Sequence, residues 1–232
     1  NITGDFIGNY ADGYYAHGGA IYNTGSSTSI GNITGDFIGN YAKSESDLAY
    51  GGAIYNEGTT GNITGNFIGN YAKSKNGSAY GGAIYNGWSA ELTLTNSNFE
   101  SNYTTSVNKI GEFGGAIYNE DGTVTINADD ATSLFKGNYT SATYNKKAAV
   151  DDMLLDYGYS SVEEMALDWG YTSVEEMLTD YEYSSIEGMA IDWGYYSFEV
   201  LSEEKDYNAI YSNGGTINLN AVNNGNIVLY DN

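Results

Sequence analysis

The chain has no cysteine, no proline and no arginine, and a single histidine, His17. Its eight basic residues are all lysine and face 30 acidic ones, giving a net charge of −22 over 232 residues. Each absence removes a class of function. Without cysteine, and with one histidine, there are no disulfide scaffolds, thiolate zinc sites, thiol nucleophiles or multi-histidine metal centres. Any Ser-His-Asp arrangement would have to run through His17. An acidic chain without arginine has no basic face with which to neutralise phosphates, so nucleic acid and anionic lipid are poor partners. No apolar run approaches the ~20 residues of a membrane helix.

What is present is repetition. NITG begins at Asn1, Asn32 and Asn62, and FIGNYA at Phe6, Phe37 and Phe67. Degenerate copies follow as FESNY at Phe99 and FKGNY at Phe135. GGAIYN begins at Gly18, Gly51, Gly81 and Gly114, with a worn copy at 208–213. No leader precedes Asn1 and the chain opens inside a repeat, so it reads as a piece of something longer. Each unit joins a short apolar strand ending in F-x-x-N, a variable loop, GGAIYN, and a turn rich in Gly, Thr and Asn. Ile2, Gly4 and Phe6 alternate with Thr3 and Asp5, the period-2 pattern of a half-buried strand, and Leu92–Thr95 and Val124–Ile126 repeat it. Units of about 30 residues without helix periodicity predict an all-β solenoid in which each coil buries its inward residues against its neighbours. Stacking predicts an inner column of Phe6, Phe37, Phe67, Phe99 and Phe135. It also predicts an amide ladder of Asn9, Asn40, Asn70, Asn102 and Asn138.

The loop between GNY and GGAIYN is seven to ten residues long in the first four coils and swells to about 140–207 in the fifth. A second repeat fills it, with Asp156, Asp168, Asp180 and Asp192 spaced 12 apart. Ser161 with Glu164 and Ser173 with Glu176 fit the capping box. Gly158, Gly170 and Gly194 sit where helix-ending glycines belong. Val162, Met165 and Trp169 fall on one helical face. The pattern predicts about four short helices of ~8 residues, too short to stand without packing on something. Residues 146–206 carry 16 acidic groups and three lysines, so most of the net charge lies here.

The alternation of F-x-x-N with G-G-A-I resembles chlamydial polymorphic outer-membrane proteins, and the adhesin-like and autotransporter passenger proteins of gut bacteria and methanogenic archaea. The matching residues are FIGN at 6–9, 37–40 and 67–70, and GGAIYN at 18–23, 51–56, 81–86 and 114–119. The match covers roughly 1–139 and 208–232. It implies a right-handed parallel β-helix, secreted to the cell surface and acting in adhesion. Passengers of this kind tend to lack cysteine, as this chain does. The helical insertion lies outside the family pattern.

Each candidate site competes with a packing role. Asp5 and Asp36 occupy outward strand positions, but Asn66 replaces them in the next coil, and neither arginine nor a lysine column accompanies them. Lyase or hydrolase chemistry of the kind other β-helices carry is therefore poorly supplied, and solvated strand positions are the simpler reading. His17 stands where later coils carry Tyr50, Tyr80 and Phe113, and reads as a packed ring. Asp156, Asp168, Asp180 and Asp192 with Glu163, Glu164, Glu175 and Glu176 lack the D-x-D-x-D-G calcium pattern and read as caps and a solvated face. Thr3, Thr34 and Thr64 make a single column, too sparse for an ice-binding array. The sharpest suggestion is the aromatic pairs of the insertion: Tyr157/Tyr159, Trp169/Tyr171, Tyr181/Tyr183 and Trp193/Tyr195. One ring of each pair is expected to close the helical core, leaving the other for glycan stacking or protein recognition.

The resulting expectation is a right-handed parallel β-helix of about six coils: residues 1–139, a helical insertion at 140–207, and resumed coils at 208–232. No catalytic, cofactor or metal residue is assigned. The expected role is a secreted, cell-surface adhesin or passenger segment binding a host or neighbouring-cell protein or glycan, with membrane attachment only through an anchor outside this sequence. The alternatives are a filament or spacer subunit self-associating through coil ends, and, least favoured, a polysaccharide-active enzyme.

Overall fold

The computed structural model describes residues 1–107, 111–143, 148–193 and 204–230. The chain divides into two compact units, one of residues 1–142 and 204–232 and the other of 143–203. The first unit is a parallel β-solenoid. Its coils are built from five ladders in which each strand pairs with the equivalent strand one coil on. The first ladder begins Ile2–Thr3, Ile33–Thr34, Thr59–Thr64 and the second Phe6–Ile7, Phe37–Ile38, Phe67–Ile68. The third begins Tyr10–Gly13 and Tyr41–Ser44, the fourth Ala16–His17 and Ala49–Tyr50, and the fifth Ile21–Asn23 and Ile54–Asn56.

The expected count of about six coils is too high. Four turns are complete. The fifth lacks a fourth-ladder strand among the described residues because the insertion interrupts it, and the sixth supplies only Thr216–Val222 and Asn226–Leu229. The insertion's borders also differ from the expected 140–207. The strand Tyr139–Thr143 still belongs to the third ladder, with Tyr139 stacked on Tyr103 at 5.1 Å. The returning strand Glu204–Asp206 pairs with it antiparallel, Thr140 opposite Asp206.

The core columns stack like over like, Phe37 on Phe67, Ile54 on Ile84 and Tyr41 on Tyr71, while the first ladder shifts register between Thr59 and Asn62. The phenylalanines Phe6, Phe37, Phe67, Phe99 and Phe135 form one continuous inner stack, with centroids 4.6–4.7 Å apart and planes within 6°. That spacing is the natural distance between paired strands, so ring stacking and backbone pairing ask for the same rise. The last four of these rings are fully buried, together with Ile33, Ile63, Leu94 and Ile126.

The asparagine of F-x-x-N closes the corner beside this stack. The residue before it adopts left-handed backbone, φ +64° at Gly8, +61° at Gly39, +62° at Gly69 and +67° at Gly137. Ser101 holds the same conformation at +56° in the coil where the motif reads FESN. The asparagine side chain is then saturated. Asn70 Oδ1 accepts the backbone N–H and the Nδ2 of Asn40, both at 2.9 Å, while its own Nδ2 donates to Phe37 O and to Asn102 Oδ1. A second amide ladder runs through Asn23, Asn56, Asn86 and Asn119 at 2.7–2.8 Å, and Ser212 takes over in the worn copy.

GGAIYN requires its glycines for two reasons. The first takes φ +58° at Gly51, where a Cβ would lie 2.0 Å from Ile54 O. The second is crowded by the next coil, since a Cβ on Gly52 would lie 2.1 Å from Gly82 O. Asn208 replaces the second glycine in the worn copy, on the last rung of the fifth ladder, where no further rung crowds it among the described residues.

The tyrosines of GGAIYN zip with a neighbouring column on the outer surface. His17, Tyr50, Tyr80 and Phe113 stack at 5.1–5.7 Å. Tyr22, Tyr55, Tyr85, Tyr118 and Tyr211 stack beside them at 4.9–5.7 Å. The columns interlock edge to face, as in Tyr50 against Tyr85 at 4.9 Å. Tyr55 and Tyr85 donate their hydroxyls to Glu57 and Glu120.

In the second unit α1 is Ala148–Tyr157, α2 Val162–Asp168, α3 Val174–Asp180 and α4 Ile186–Asp192. Packing supplies what propensity cannot at seven to ten residues. Met153, Met165, Met177 and Met189 are fully buried, joined by Leu154, Ala166 and Ala190. The Val162, Met165 and Trp169 face does turn inward, with Met165 at its centre. No helix among the described residues is long and apolar enough to cross a membrane.

Two outcomes test this account. Asn70→Ala strips partners from the backbone and side-chain amides of Asn40, and each buried group left unpaired costs roughly 1–3 kcal/mol. Urea denaturation is expected to show a loss of about 3 kcal/mol or more. The ring column makes a second prediction. Burial against Tyr50 and Tyr55 lowers the pKa of His17, with Glu57 opposing weakly. The unfolded chain therefore takes the proton first as pH falls from about 6.5. The contribution of His17 to stability is complete above that pH and is lost as pH drops through the folded value. The chain's one histidine should show an NMR inflection below 6.5. The variant His17→Phe should gain stability relative to the parent as pH falls from about 7 to 5.

Candidate functional site

The site is built from the way each helix of the second unit ends. The repeat D-[Y/W]-G-Y places one ring at the helix end, a left-handed residue after it, and a second ring next. Gly158 and Gly170 take φ +78° and +90°. In the third repeat Glu182 occupies the same slot at +60°, a conformation glycine adopts freely and glutamate does not. Paired backbone bonds close each end. Tyr159 N donates to Leu154 O and Gly158 N to Leu155 O, and the same pair recurs from Tyr171 to Ala166 and from Tyr183 to Leu178. This is the Schellman arrangement, and Gly194 of the fourth repeat lies outside the described residues.

The two rings of each pair consequently do different things. The second ring folds back. Tyr159, Tyr171 and Tyr183 pack half-buried on the methionine core and donate their hydroxyls to Asp168, Asp180 and Asp192 at 2.7, 2.7 and 2.5 Å. Each tyrosine thus clips the carboxylate nine residues ahead. The bond to Asp180 pushes the phenol of Tyr171 up to about 12, and Tyr159 and Tyr183 are raised for the same reason.

The first rings converge. Trp169 and Trp193 lie 5.7 Å apart at a 37° tilt. Tyr157 stands edge-on to Trp169 at 5.9 Å and 80°, and Tyr181 stands edge-on to Trp193 at 5.8 Å and 81°. The cross contacts match too, with Tyr157 to Trp193 at 6.0 Å and 55° and Trp169 to Tyr181 at 6.2 Å and 57°. The four rings therefore form a cluster with approximate twofold symmetry, one half from each pair of repeats. Tyr157 is 49% exposed and Tyr181 44%, while both tryptophans are half-buried. The structure thus brings Tyr157, Trp169, Tyr181 and Trp193 together and sets Tyr159, Tyr171 and Tyr183 behind them. Tyr195 lies outside the described residues.

The other candidates are absorbed by the fold. Asp5 Oδ1 accepts Asp36 N at 2.9 Å, and Asp36 Oδ1 accepts Asn66 N at 2.7 Å. The column is thus a side-chain ladder between coils, a closer role than the solvated position expected of it. Thr3, Thr34 and Thr64 stay in register as one column. The capping serines behave as read, with Ser161 Oγ accepting from Glu164 N at 3.1 Å. The reciprocal arm differs: Glu164 reaches Ser160, one residue further out, accepting from both its N–H and its hydroxyl. Glu176 treats Thr172 the same way. These bonds hold both glutamates below their ordinary pKa. Among the described residues no three His, Cys, Asp or Glu side chains are grouped to hold a metal ion.

Sequence reasoning missed which ring of each pair is shared. The signal was the position relative to the helix-ending glycine: the ring before it projects from the helix end, and the ring after it folds back. It placed Met165 on the inward face but missed that Met153, Met177 and Met189, the other methionines of the chain, join it at a spacing of 12 residues through the core. Comparison with known proteins adds no identity to this geometry, because no family model, curated protein or solved structure matches the chain.

Proposed function

We propose that the chain is a recognition segment of a surface-displayed, adhesin-like protein, in which the solenoid is a stiff spacer and the helical unit carries the binding surface. One observation carries this reading. In the inner coils the tyrosine columns of the solenoid are buried by stacking, as at Tyr55, Tyr85 and Tyr118, and its exposed rings lie singly or at the first coil, whereas four rings of the helical unit converge in one cluster with two of its members half exposed. Rigid, partly exposed Tyr and Trp rings are the side chains that dominate binding hot spots, because they offer large contact area at small entropic cost. The repeat pattern, which resembles that of surface passengers, and the absence of cysteine support a secreted setting. A stack held by amide ladders and rings needs neither disulfide nor metal to be stiff.

The test is a binding assay with the labelled full chain on arrays of cell-surface proteins and glycans and on intact cells. The double variant Tyr157→Ala/Tyr181→Ala removes the exposed rings and leaves the methionine core. Binding by the parent that drops at least ~10-fold in the variant is the expected outcome. Equal binding by both would remove the helical unit from the role given to it.

A further inference from the structure

Resting on the reading of the ring cluster as the recognition surface, we propose that its ligand is cationic: the alkylammonium groups of lysine side chains on a basic protein partner. Four features of the cluster select that chemistry.

The first is the rings themselves, whose faces carry negative potential and attract ammonium groups. The second is where the rings stand. Tyr157 ends α1, Trp169 and Tyr181 cap the C-termini of α2 and α3, and Trp193 directly follows α4. Because these rings touch one another, four helix C-termini converge, and each is the negative pole of its helix dipole. None of the four helices has a basic residue in its last turn, and α2, α3 and α4 end on Asp168, Asp180 and Asp192. Acidic residues at that end oppose the dipole preference, so the fold concentrates negative potential where a stability-optimised helix would relieve it.

The third feature is the hydrogen-bonding inventory. Trp169 Nε1 donates to Tyr159 Oη at 3.1 Å, and that hydroxyl donates on to Asp168. Trp193 and Tyr183 are bonded in the same way, with Asp192 as the final acceptor. The indole donors and the phenols of Tyr159 and Tyr183 are thus spent inside the unit, and both hydrogen-bond chains end on a carboxylate acceptor, Asp168 or Asp192. An anion or a neutral sugar would want donors there. A lysine ammonium brings three donors of its own for the acceptor positions these carboxylates still have beyond their tyrosine bonds, whereas a quaternary ammonium brings none. The fourth feature is long-range: residues 148–204 hold 15 acidic side chains and no basic one, a field that draws a basic surface in and repels uronic or sialylated glycans.

Titration of the full chain, followed by tryptophan fluorescence at low and physiological salt, tests this with three probes: a flexible lysine–serine peptide, the same peptide with every lysine acetylated, and choline. The lysine peptide is expected to bind, the acetylated one not, and choline to bind at least ~10-fold more weakly. Tyr157→Ala/Tyr181→Ala, checked for retained helicity by circular dichroism, should weaken the lysine peptide at least ~5-fold. Tyr14→Ser, at an exposed solenoid tyrosine, should leave it unchanged. As a second readout, Asp168→Asn and Asp192→Asn each keep a side-chain acceptor for the tyrosine clip and remove the charge, so both should weaken binding. Lysine-peptide affinity equal in the parent and the ring variant would overturn the proposal, as simple polyelectrolyte attraction would then account for it. Choline binding as tightly as the peptide would overturn the lysine assignment. Loss of array or cell binding in the ring variant without any lysine-peptide affinity would overturn this inference and leave the recognition reading standing. Failure of both assays would remove both.

Discussion

In-register stacking is the constraint on which the solenoid depends. Each inward and corner position meets its equivalent one coil away at the spacing of paired strands, so those columns are restricted to side chains that gain by meeting themselves. Phenylalanine does, face over face at 4.6–4.7 Å. Asparagine does, since its amide is donor at one end and acceptor at the other and propagates without a mismatch. Charge is balanced across neighbouring positions instead: Lys43 lies between Asp12 and Lys73 in its column, with Asp12 and Glu45 both near its ammonium. The absence of proline has the same origin, because nearly every rung contributes a backbone N–H to a neighbour on at least one side.

That constraint also explains what could be read from sequence. Columns of identical letters at a 30-residue period translate directly into spatial columns, so Phe6 to Phe135 and Asn9 to Asn138 were placed correctly without coordinates. The corner glycines were legible for a similar reason, as left-handed backbone and close inter-coil approach both demand them. The coil count was not legible. The number of strands present in a turn depends on how the insertion enters and leaves, and the antiparallel pairing of Tyr139–Thr143 with Glu204–Asp206 is a contact between segments about 60 residues apart with no shared motif.

The helical unit follows another rule, and its legibility stopped at a different point. Helix caps are local, so Ser161, Ser173, Gly158 and Gly170 could be assigned from spacing alone. The convergence of rings from four helix ends is tertiary. Nothing in a 12-residue period says whether four copies line up in a row or bring their ends together. The contacts of α1 with α4, and of Tyr157 with Trp193, decide in favour of the second arrangement. In the three pairs described in full the tyrosine after the left-handed residue folds back on the core, and its position in the Schellman turn is what tells it from the other ring.

The two units thus treat aromatic side chains oppositely, and the difference is the physical basis for locating recognition in one of them. In the inner coils of the solenoid a column ring has a ring above and below it, and the stacks of Tyr55, Tyr85 and Tyr118 leave those side chains almost fully buried. Each stacked pair adds roughly 0.5–1.5 kcal/mol beyond burial, so the solenoid uses its aromatics for cohesion. In the helical unit the rings at the helix ends pack against one another in a single cluster, and Tyr157 and Tyr181 keep 49% and 44% of their surface exposed. That cluster lies in a unit, 143–203, that carries 14 acidic side chains against two lysines. Cohesion there is supplied instead by four buried methionines, whose unbranched side chains fill the space between short helices without fixing ring geometry. Moving the packing role from aromatic rings to methionine is what leaves Tyr157 and Tyr181 at the surface.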